Sequence, residues 1–420
     1  MMVVDDEPAF PATFLAGLRI GAIPIPVSTM LRPAELAVLA ADSQARVVVL
    51  SDRYAACLAE LMVGTAVTDA VLTGPGSASG SGVVSAGAIA VHRWSAFDDA
   101  TEPAAAATDR STPGFWLYTS GTTGKPKGAI HRHGDLEAIC TTYARTVLDI
   151  RATDVCYSVP KLFFAFGLGN SLVFPLSVGA RAVLDPDPPS PIRAAALLAR
   201  HRPSLFFAPP GFCAAMADVG LPSDILSSAR ATVTAGEVLP AEVQRRFTHT
   251  FGTEMLDGIG STEALHIFCS NHPGDTRPGT SGRPVAGYEL KLLDDHDQVV
   301  TEPDTPGALW VRGDSVAAGY WERPELTAAT FVDGWLRTGD VYSRSADGYY
   351  RFVGRNSDMI KAGGIWVSPA EVESVLLGHD DVLEAAVVGA RTDDGLETTV
   401  AFVVARRGHT IDAARLDTHC

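Results

Sequence analysis

Cysteine is scarce in this sequence, with six in 420 residues: Cys57, Cys140, Cys156, Cys213, Cys269 and Cys420. They form no C-x-x-C pair and no ladder of short spacings. That excludes a disulfide framework and a cysteine-based zinc site, and it points to reduced thiols in a cytoplasmic protein. Positive charge is also short: 33 Lys and Arg stand against 49 Asp and Glu, a formal net charge of −16. Broad binding to nucleic acid or to an anionic membrane needs a positive surface, so both are excluded as partners. Any phosphate ligand must be held by local backbone donors and a few placed cations. No run of about 18 apolar residues is free of charges or breakers, which argues against a membrane span. The stretch Met1-Met2-Val3-Val4-Asp5-Asp6-Glu7 has acid where a secretory signal would need a basic region and an apolar stretch. No internal repeat is visible.

At 420 residues, 46% hydrophobic and 20% charged, the chain is ordinary for a soluble globular protein and too long for one compact core. Residues 11–24 and 34–42 have helical spacing, and residues 45–51 (ARVVVLS) read as a short buried strand. Strand and helix patterns then alternate at 180–184, 192–201, 204–208 and 229–234, the rhythm of parallel α/β layers. Segments 73–90 and 101–113 read as surface loops. From about Tyr288 the pattern changes to short alternating strands at 288–293, 307–312 and 349–353, a small β-rich unit. A last α/β piece follows Arg355, with a helix over 369–377 and strands over 385–389 and 399–405.

The most informative stretch is Tyr118-Thr119-Ser120-Gly121-Thr122-Thr123-Gly124-Lys125-Pro126-Lys127-Gly128, after an apolar strand at 114–118 and before a helical pattern from Asp135. Hydroxyls, two lysines and glycines that let backbone N–H groups approach a ligand make a cradle for polyphosphate. Taken alone, a glycine-rich loop is also an ordinary surface turn. A Walker loop ending at Lys125 would need Gly at 119 and Ser or Thr at 126, where Thr119 and Pro126 stand. A dinucleotide fingerprint starting at Gly258 or Gly167 fails at its third glycine, where Glu263 or Leu172 stands.

The stretch resembles, residue for residue, the signature loop of the adenylate-forming superfamily of acyl-CoA synthetases, luciferases and peptide-synthetase adenylation domains. Further segments resemble that family in its order. Thr234-Ala235-Gly236-Glu237 looks like its adenine-site turn, and Ile259-Gly260-Ser261-Thr262-Glu263 like its Y-G-x-T-E segment, with Ile in the Tyr position. Trp335-Leu336-Arg337-Thr338-Gly339-Asp340 looks like its ribose segment. Gly354-Arg355-Asn356-Ser357-Asp358-Met359-Ile360-Lys361 looks like the hinge into its small C-terminal domain. The implied fold is α/β. A large N-terminal domain (1–354) of layered α/β subdomains and a small β-rich unit binds ATP and acid. A small, incomplete α+β C-terminal domain (355–420) follows.

The implied reaction joins a carboxylic acid to AMP and then to the thiol of coenzyme A. Both halves develop charge on phosphate oxygens, which calls for fixed donors and a metal ion. By resemblance, Thr119, Ser120, Gly121, Thr122, Thr123 and Lys127 hold the β- and γ-phosphates, Thr262 donates to the α-phosphate, and Glu263 binds Mg²⁺. The adenosine falls to Gly236, Glu237, Asp257, Gly258, Ile259, Asp340 and Arg355, Asp340 accepting from both ribose hydroxyls. Lys361 joins the catalytic set, with a solvated lysine an equal alternative. The face presented to CoA lies around Gly363, Gly364 and Trp366, and the hinge at Ser357, where the family usually carries Asp or Lys.

On the acid side, KLFFAFGLGN (161–170) and DGIGSTEALHIF (257–268) look most like benzoate-CoA ligases and their close relatives. Phe163, Phe164, Ala165, Gly260, His266 and Ile267 are the implied acyl pocket, a narrow slot suited to a planar apolar ring. His266 would cap the ring, an ordinary core or surface histidine being nearly as good a reading. The family's closing P-K-T-x-x-G-K-type lysine motif does not occur before Cys420, and Met1–Glu7 reads as a strand already inside the large domain. Family residues are therefore expected beyond both ends, and adenylation by these 420 residues alone is expected to suffer more than thioester formation. The leading expectation is an ATP-dependent aryl-CoA ligase using Mg²⁺, ATP and CoA, with homodimerisation left open. The alternatives are loading of an aryl acid onto a carrier-protein phosphopantetheine, or a nucleotide- or acyl-binding remnant without turnover.

Overall fold

A computed structural model describes the chain except for residues 62, 75–83, 87–88, 99, 121–125, 356–359, 363–364, 392–396 and 420. The first sheet is built from β1 (Met2–Val3), β2 (Val47–Leu50), β3 (Asp69–Leu72), β4 (Val84–Ala86) and β5 (Ile89–Arg93), in the order β1-β2-β3-β5-β4. Val3, Val48, Leu50, Ala70, Leu72, Ile89 and Val91 form one core cluster with Leu36 and Leu39 of the helix Pro33–Asp42, while Met2 and Val49 join the main core. Next comes an antiparallel hairpin of β6 (Pro113–Ser120) and β7 (Pro126–Arg132), paired from Pro113↔Arg132 to Ser120↔Pro126. This strand β7 lies where the sequence suggests only loop and then helix; the helix itself spans His133–Ile139.

The central sheet holds β8 (Val155–Ser158), β9 (Arg181–Val183), β10 (Leu205–Phe207), β11 (Ala231–Thr234), β12 (Met255–Gly260), β13 (Ile267–Ser270) and β14 (Arg283–Pro284), in the order β14-β13-β12-β11-β10-β8-β9. From β9 to β12 the pairing is parallel. β10 and β11 are buried at every position, as expected of strands covered on both faces. The helices between them carry ordinary punctuation. Pro191–His201 starts on Ser190, whose side chain accepts from Arg193 N–H, has Pro at its first position, and ends at Arg202 in the left-handed region. β13 and β14 then turn antiparallel.

The β-rich unit contains β15 (Glu289–Leu293), β16 (Gly307–Arg312), β17 (Phe331–Val332), β18 (Trp335–Arg344) and β19 (Tyr350–Arg355), all antiparallel. The C-terminal part has two small ladders, β20 (Ile360–Ala362) with β21 (Ile365–Val367) and β22 (Val382–Arg391) with β23 (Glu397–Ala405), plus the helix Pro369–Leu377. It has its own core of Ile360, Leu376, Val382, Val387 and Leu416. Among the described residues no helix is long and apolar enough to cross a membrane.

This layout gathers the site. The carboxyl ends of β8, β11 and β12 lead directly into 163–165, 236–237 and 261–266, the edge of a parallel sheet where ligands bind in open α/β folds.

Candidate active site

The glycine-rich motif is split by its hairpin. Thr119 and Ser120 end β6, Lys127 pairs with Thr119 near the start of β7, and Gly121, Thr122 and Thr123 lie outside the described residues. Lys127 does not point at open solvent: its Nζ lies 3.2 Å from Glu263 Oε1 and donates to the Tyr320 hydroxyl at 2.7 Å. That hydroxyl donates to the same Glu263 oxygen at 2.6 Å. Burial and the neighbouring Glu263 carboxylate push the Tyr320 hydroxyl far above its ordinary pKa, so it stays protonated as a donor. Tyr320 was not foreseen from sequence; a tyrosine after a glycine is its only local signal.

The turn carrying Thr262 and Glu263 leaves the end of β12 and is pinned by its own backbone. Ala264 N–H donates to Ser261 Oγ (3.1 Å), Leu265 N–H to the Thr262 carbonyl (3.1 Å), and Ala317 N–H to the Glu263 carbonyl (2.8 Å). Leu265 has φ 67°, a left-handed conformation that costs a bulky residue energy and needs surrounding bonds to hold it.

A cleft of about 1210 Å³ unites the residues expected around adenosine, since Gly236, Glu237, Asp257, Gly258, Ile259, Asp340 and Arg355 all line it, and Gly260 of the expected acyl pocket lines it too. Asp340 on β18 pairs in register with Arg355 on β19, and Arg355 Nε sits 2.9 Å from Asp340 Oδ1. Burial raises the Asp340 carboxyl to about 6 despite the opposing pull of Arg355. Asp257 is buried with Oδ1 unpartnered among the described residues, and desolvation pushes its carboxyl well above the usual range. An orphaned buried oxygen of this kind is a vacancy for a donor. Glu237 accepts from Gly211 N–H at 2.9 Å, which ties the turn at 234–237 to the helix Pro210–Asp218.

The acyl-side residues adjoin this cleft at Gly260, which pairs with Ile267 across β12 and β13. Phe163 is buried against Phe164, their ring centroids 4.6 Å apart, whereas Phe164 is 45% exposed and Ala165 begins a short helix. His266 is a core residue. Its ring is wedged between Tyr143, Phe166 and Phe174, with Nε2 3.1 Å from Asn170 Oδ1. Burial lowers it to about 3, so the ring is neutral. Space here is tight enough to require glycine: a Cβ at 169 would lie 2.5 Å from the His266 ring, and one at 260 would lie 2.5 Å from the His266 carbonyl oxygen.

The C-terminal assignments are only partly located. Lys361 and Trp366 pair across β20 and β21, while Ser357, Gly363 and Gly364 lie outside the described residues. Among the described residues no group of three or more His, Cys, Asp and Glu forms a metal cage.

The fold is that of an adenylate-forming enzyme. The chain belongs to the AMP-binding enzyme family, matching it over residues 1–321, with the family's C-terminal domain matched over 371–420. It is 43% identical to a benzoate–CoA ligase of Thauera aromatica over 410 residues, covering 97% of this chain and 76% of that protein. A benzoate CoA ligase crystal structure from Burkholderia xenovorans LB400 superimposes with a TM-score of 0.89 at 40% identity, covering 100% of this chain and 81% of the other. An anthranilate CoA ligase, AuaEII, solved with anthranoyl-AMP, gives 0.90 at 35% identity, covering 100% and 80%.

Proposed function

We propose that this protein activates a benzoate-like aryl carboxylic acid with ATP and transfers the acyl group to coenzyme A. The observation that carries this is the single cleft joining Asp257, Asp340 and Arg355 to Gly260, where the aromatic acyl side begins. In the first half-reaction a carboxylate oxygen bonds to the α-phosphorus and the bond to pyrophosphate breaks. In the second the CoA sulfur, its proton lost, bonds to the acyl carbon and AMP leaves.

The residues divide this work. Asp340 accepts from the ribose hydroxyls with Arg355 beside it, and the orphaned Asp257 oxygen accepts from the adenine amino group. Thr262 donates to the α-phosphate as charge grows there, and the hairpin hydroxyls of Thr119, Ser120, Thr122 and Thr123 hold the leaving pyrophosphate with Lys127. Glu263 would hold Mg²⁺ through its carboxylate, a hard oxygen ligand of the kind this cation favours. Bound there, Mg²⁺ would supply Lewis-acid stabilisation of the phosphate charge. Phe164, Gly260, His266 and Ile267 position the aryl ring, and Lys361 with Gly363, Gly364 and Trp366 serve the second half-reaction. The boundary between the nucleotide-holding part and the mobile part is placed at 354/355, with Ser357 as the hinge.

The test is benzoate-dependent exchange of pyrophosphate into ATP, followed by thioester formation with and without CoA. Absence of exchange sinks the enzyme reading in favour of a binding remnant. Exchange without CoA-dependent product moves the acceptor to a carrier-protein phosphopantetheine.

A further inference from the structure

Between the phosphate hairpin and the turn bearing Glu263 lies a buried group with no part in the chemistry above. His131 sits on β7, fully buried and opposite Phe115, whose ring stacks on it at 5.1 Å with an interplanar angle of 17°. Its Nε2 lies 2.8 Å from the carbonyl oxygen of Thr262, and its Nδ1 lies 3.0 Å from Oδ2 of Asp135. One imidazole therefore spans three elements: the hairpin that would hold the β- and γ-phosphates, the helix His133–Ile139, and the turn that would hold the α-phosphate and the metal.

Both atoms facing the ring are acceptors. A carbonyl oxygen can only accept, and the Asp135 carboxylate also receives Arg132 N–H at 3.0 Å and Arg132 Nε at 3.1 Å. Three hydrogen-bonding contacts converge on this buried carboxylate, and the ring of His131 faces an acceptor oxygen at each end.

We propose that His131, backed by Asp135, is a positioning residue that fixes the Thr262–Glu263 turn to the glycine-rich hairpin. The proposal rests on the reading of Thr262 and Glu263 as the phosphate and metal turn. That turn needs such a strut, because it is not part of a ladder and contains Leu265 at φ 67°. The Thr262 carbonyl accepts from Leu265 N–H as well as from His131, so both its lone pairs are used. Arg132 adds a parallel tie, donating through Nη2 to the Val316 carbonyl at 2.6 Å beside Ala317, which in turn bonds Glu263. Reacting groups displaced by about 1 Å lose on the order of 10²-fold in rate, so a strut here acts on turnover rather than on acid binding.

The experiment compares His131→Phe, which keeps the stack on Phe115 and loses both ring nitrogens, and Asp135→Asn with the parent enzyme. Glu263→Gln is assayed alongside. The readouts are kcat for pyrophosphate release at saturating Mg-ATP and benzoate, KM for benzoate, and the thermal midpoint. The expected result is a kcat down about 10²-fold in His131→Phe and about tenfold in Asp135→Asn, with KM for benzoate moved less than about threefold. A purely structural histidine would lower the thermal midpoint and leave kcat per folded molecule near the parental value, which overturns the proposal. His131→Gln, which keeps a side-chain donor, gives an independent reading: a lowered kcat at an unchanged thermal midpoint supports the proposal, and a lowered midpoint with parental kcat per folded molecule overturns it, even should His131→Phe fail to fold. Full activity in Glu263→Gln would sink the reading of the turn itself. A crippled Glu263→Gln beside a near-parental His131→Phe sinks the strut alone.

Discussion

Lys127 and Glu263 face each other at 3.2 Å, and the Tyr320 hydroxyl bridges the two, accepting from the lysine and donating to the carboxylate. Both charged side chains are largely shielded from water, at 18% and 13% exposure, so this is a partly desolvated pair rather than a surface one. In the proposed reaction both partners are needed elsewhere, Lys127 at the phosphates and Glu263 at the metal. The pair then serves as mutual neutralisation of the site before nucleotide arrives.

Glu263→Gln tests the metal assignment. The amide keeps the shape and can still accept from Tyr320, but it removes the charge that would hold Mg²⁺. Adenylation should fall by about 10²-fold or more, since a lost metal contact removes transition-state charge stabilisation. Pyrophosphate exchange across a Mg²⁺ titration measures it, and turnover within a factor of about two of the parent rejects the role.

Tyr320→Phe isolates the bridge. It deletes one hydrogen bond to a carboxylate and one from an ammonium without changing the ring. Hydrogen bonds to charged groups are worth about 1.5–3 kcal/mol, so kcat/KM for ATP should drop roughly 10- to 100-fold. KM for the aryl acid should not follow. Equal losses for both substrates would mean that the hydroxyl supports the fold in general rather than Glu263.

The proposed ribose role of Asp340 implies a pH dependence of nucleotide binding. The Asp340 carboxyl is raised to about 6 in the free protein, chiefly by burial. Ribose hydroxyls donate to the ionised form, so binding favours the carboxylate and must release a proton wherever Asp340 is protonated. The sign follows: AMP affinity should be level above about pH 7 and weaken as pH falls through 6, approaching about tenfold per unit below it. Calorimetric titration of AMP from pH 5 to pH 8 reads this directly. Asp340→Asn should bind more weakly and flatten the profile; an unchanged slope would assign the dependence to another group.

Much of this site is legible in sequence, and the parts that are not share one cause. The motifs 118–128, 234–237, 259–263 and 335–340 are contiguous, so their chemistry reads along the chain, and the cleft does gather Gly236, Asp257 and Asp340. Tyr320 is silent because its partners are remote: 57 residues from Glu263 and 193 from Lys127. His131 is silent for the same reason, since its Thr262 contact crosses 131 residues. The alternation of strands and helices over 180–234 shows in the pattern because buried parallel strands are apolar throughout. Strand β7 does not, because it opens on Pro126-Lys127-Gly128 and reads as the tail of a loop.

The last prediction concerns which acids enter. At the proposed acyl side Phe163 is buried, His266 lies 3.1 Å from Asn170, and Gly169 and Gly260 press against His266 with no room for a methyl group. An aryl pocket there would accept a planar ring and exclude a flexible chain, whose rotamers must all be frozen on entry. Benzoate and small substituted benzoates should therefore be used far better than octanoate, as judged by kcat/KM across a panel of acids. Gly169→Ala sharpens the test, because its Cβ would lie 2.5 Å from the His266 ring and must displace it. Moving that wall is a change of about one methyl group in a pocket, worth roughly 1–3 kcal/mol, or about 10- to 200-fold in kcat/KM for benzoate. KM for ATP should stay near its parental value, since the nucleotide residues are untouched. A preference for medium-chain fatty acids in the parent would sink the aryl assignment outright. A Gly169→Ala enzyme that handles benzoate normally would instead leave the aryl assignment standing and remove His266 from the wall of the slot.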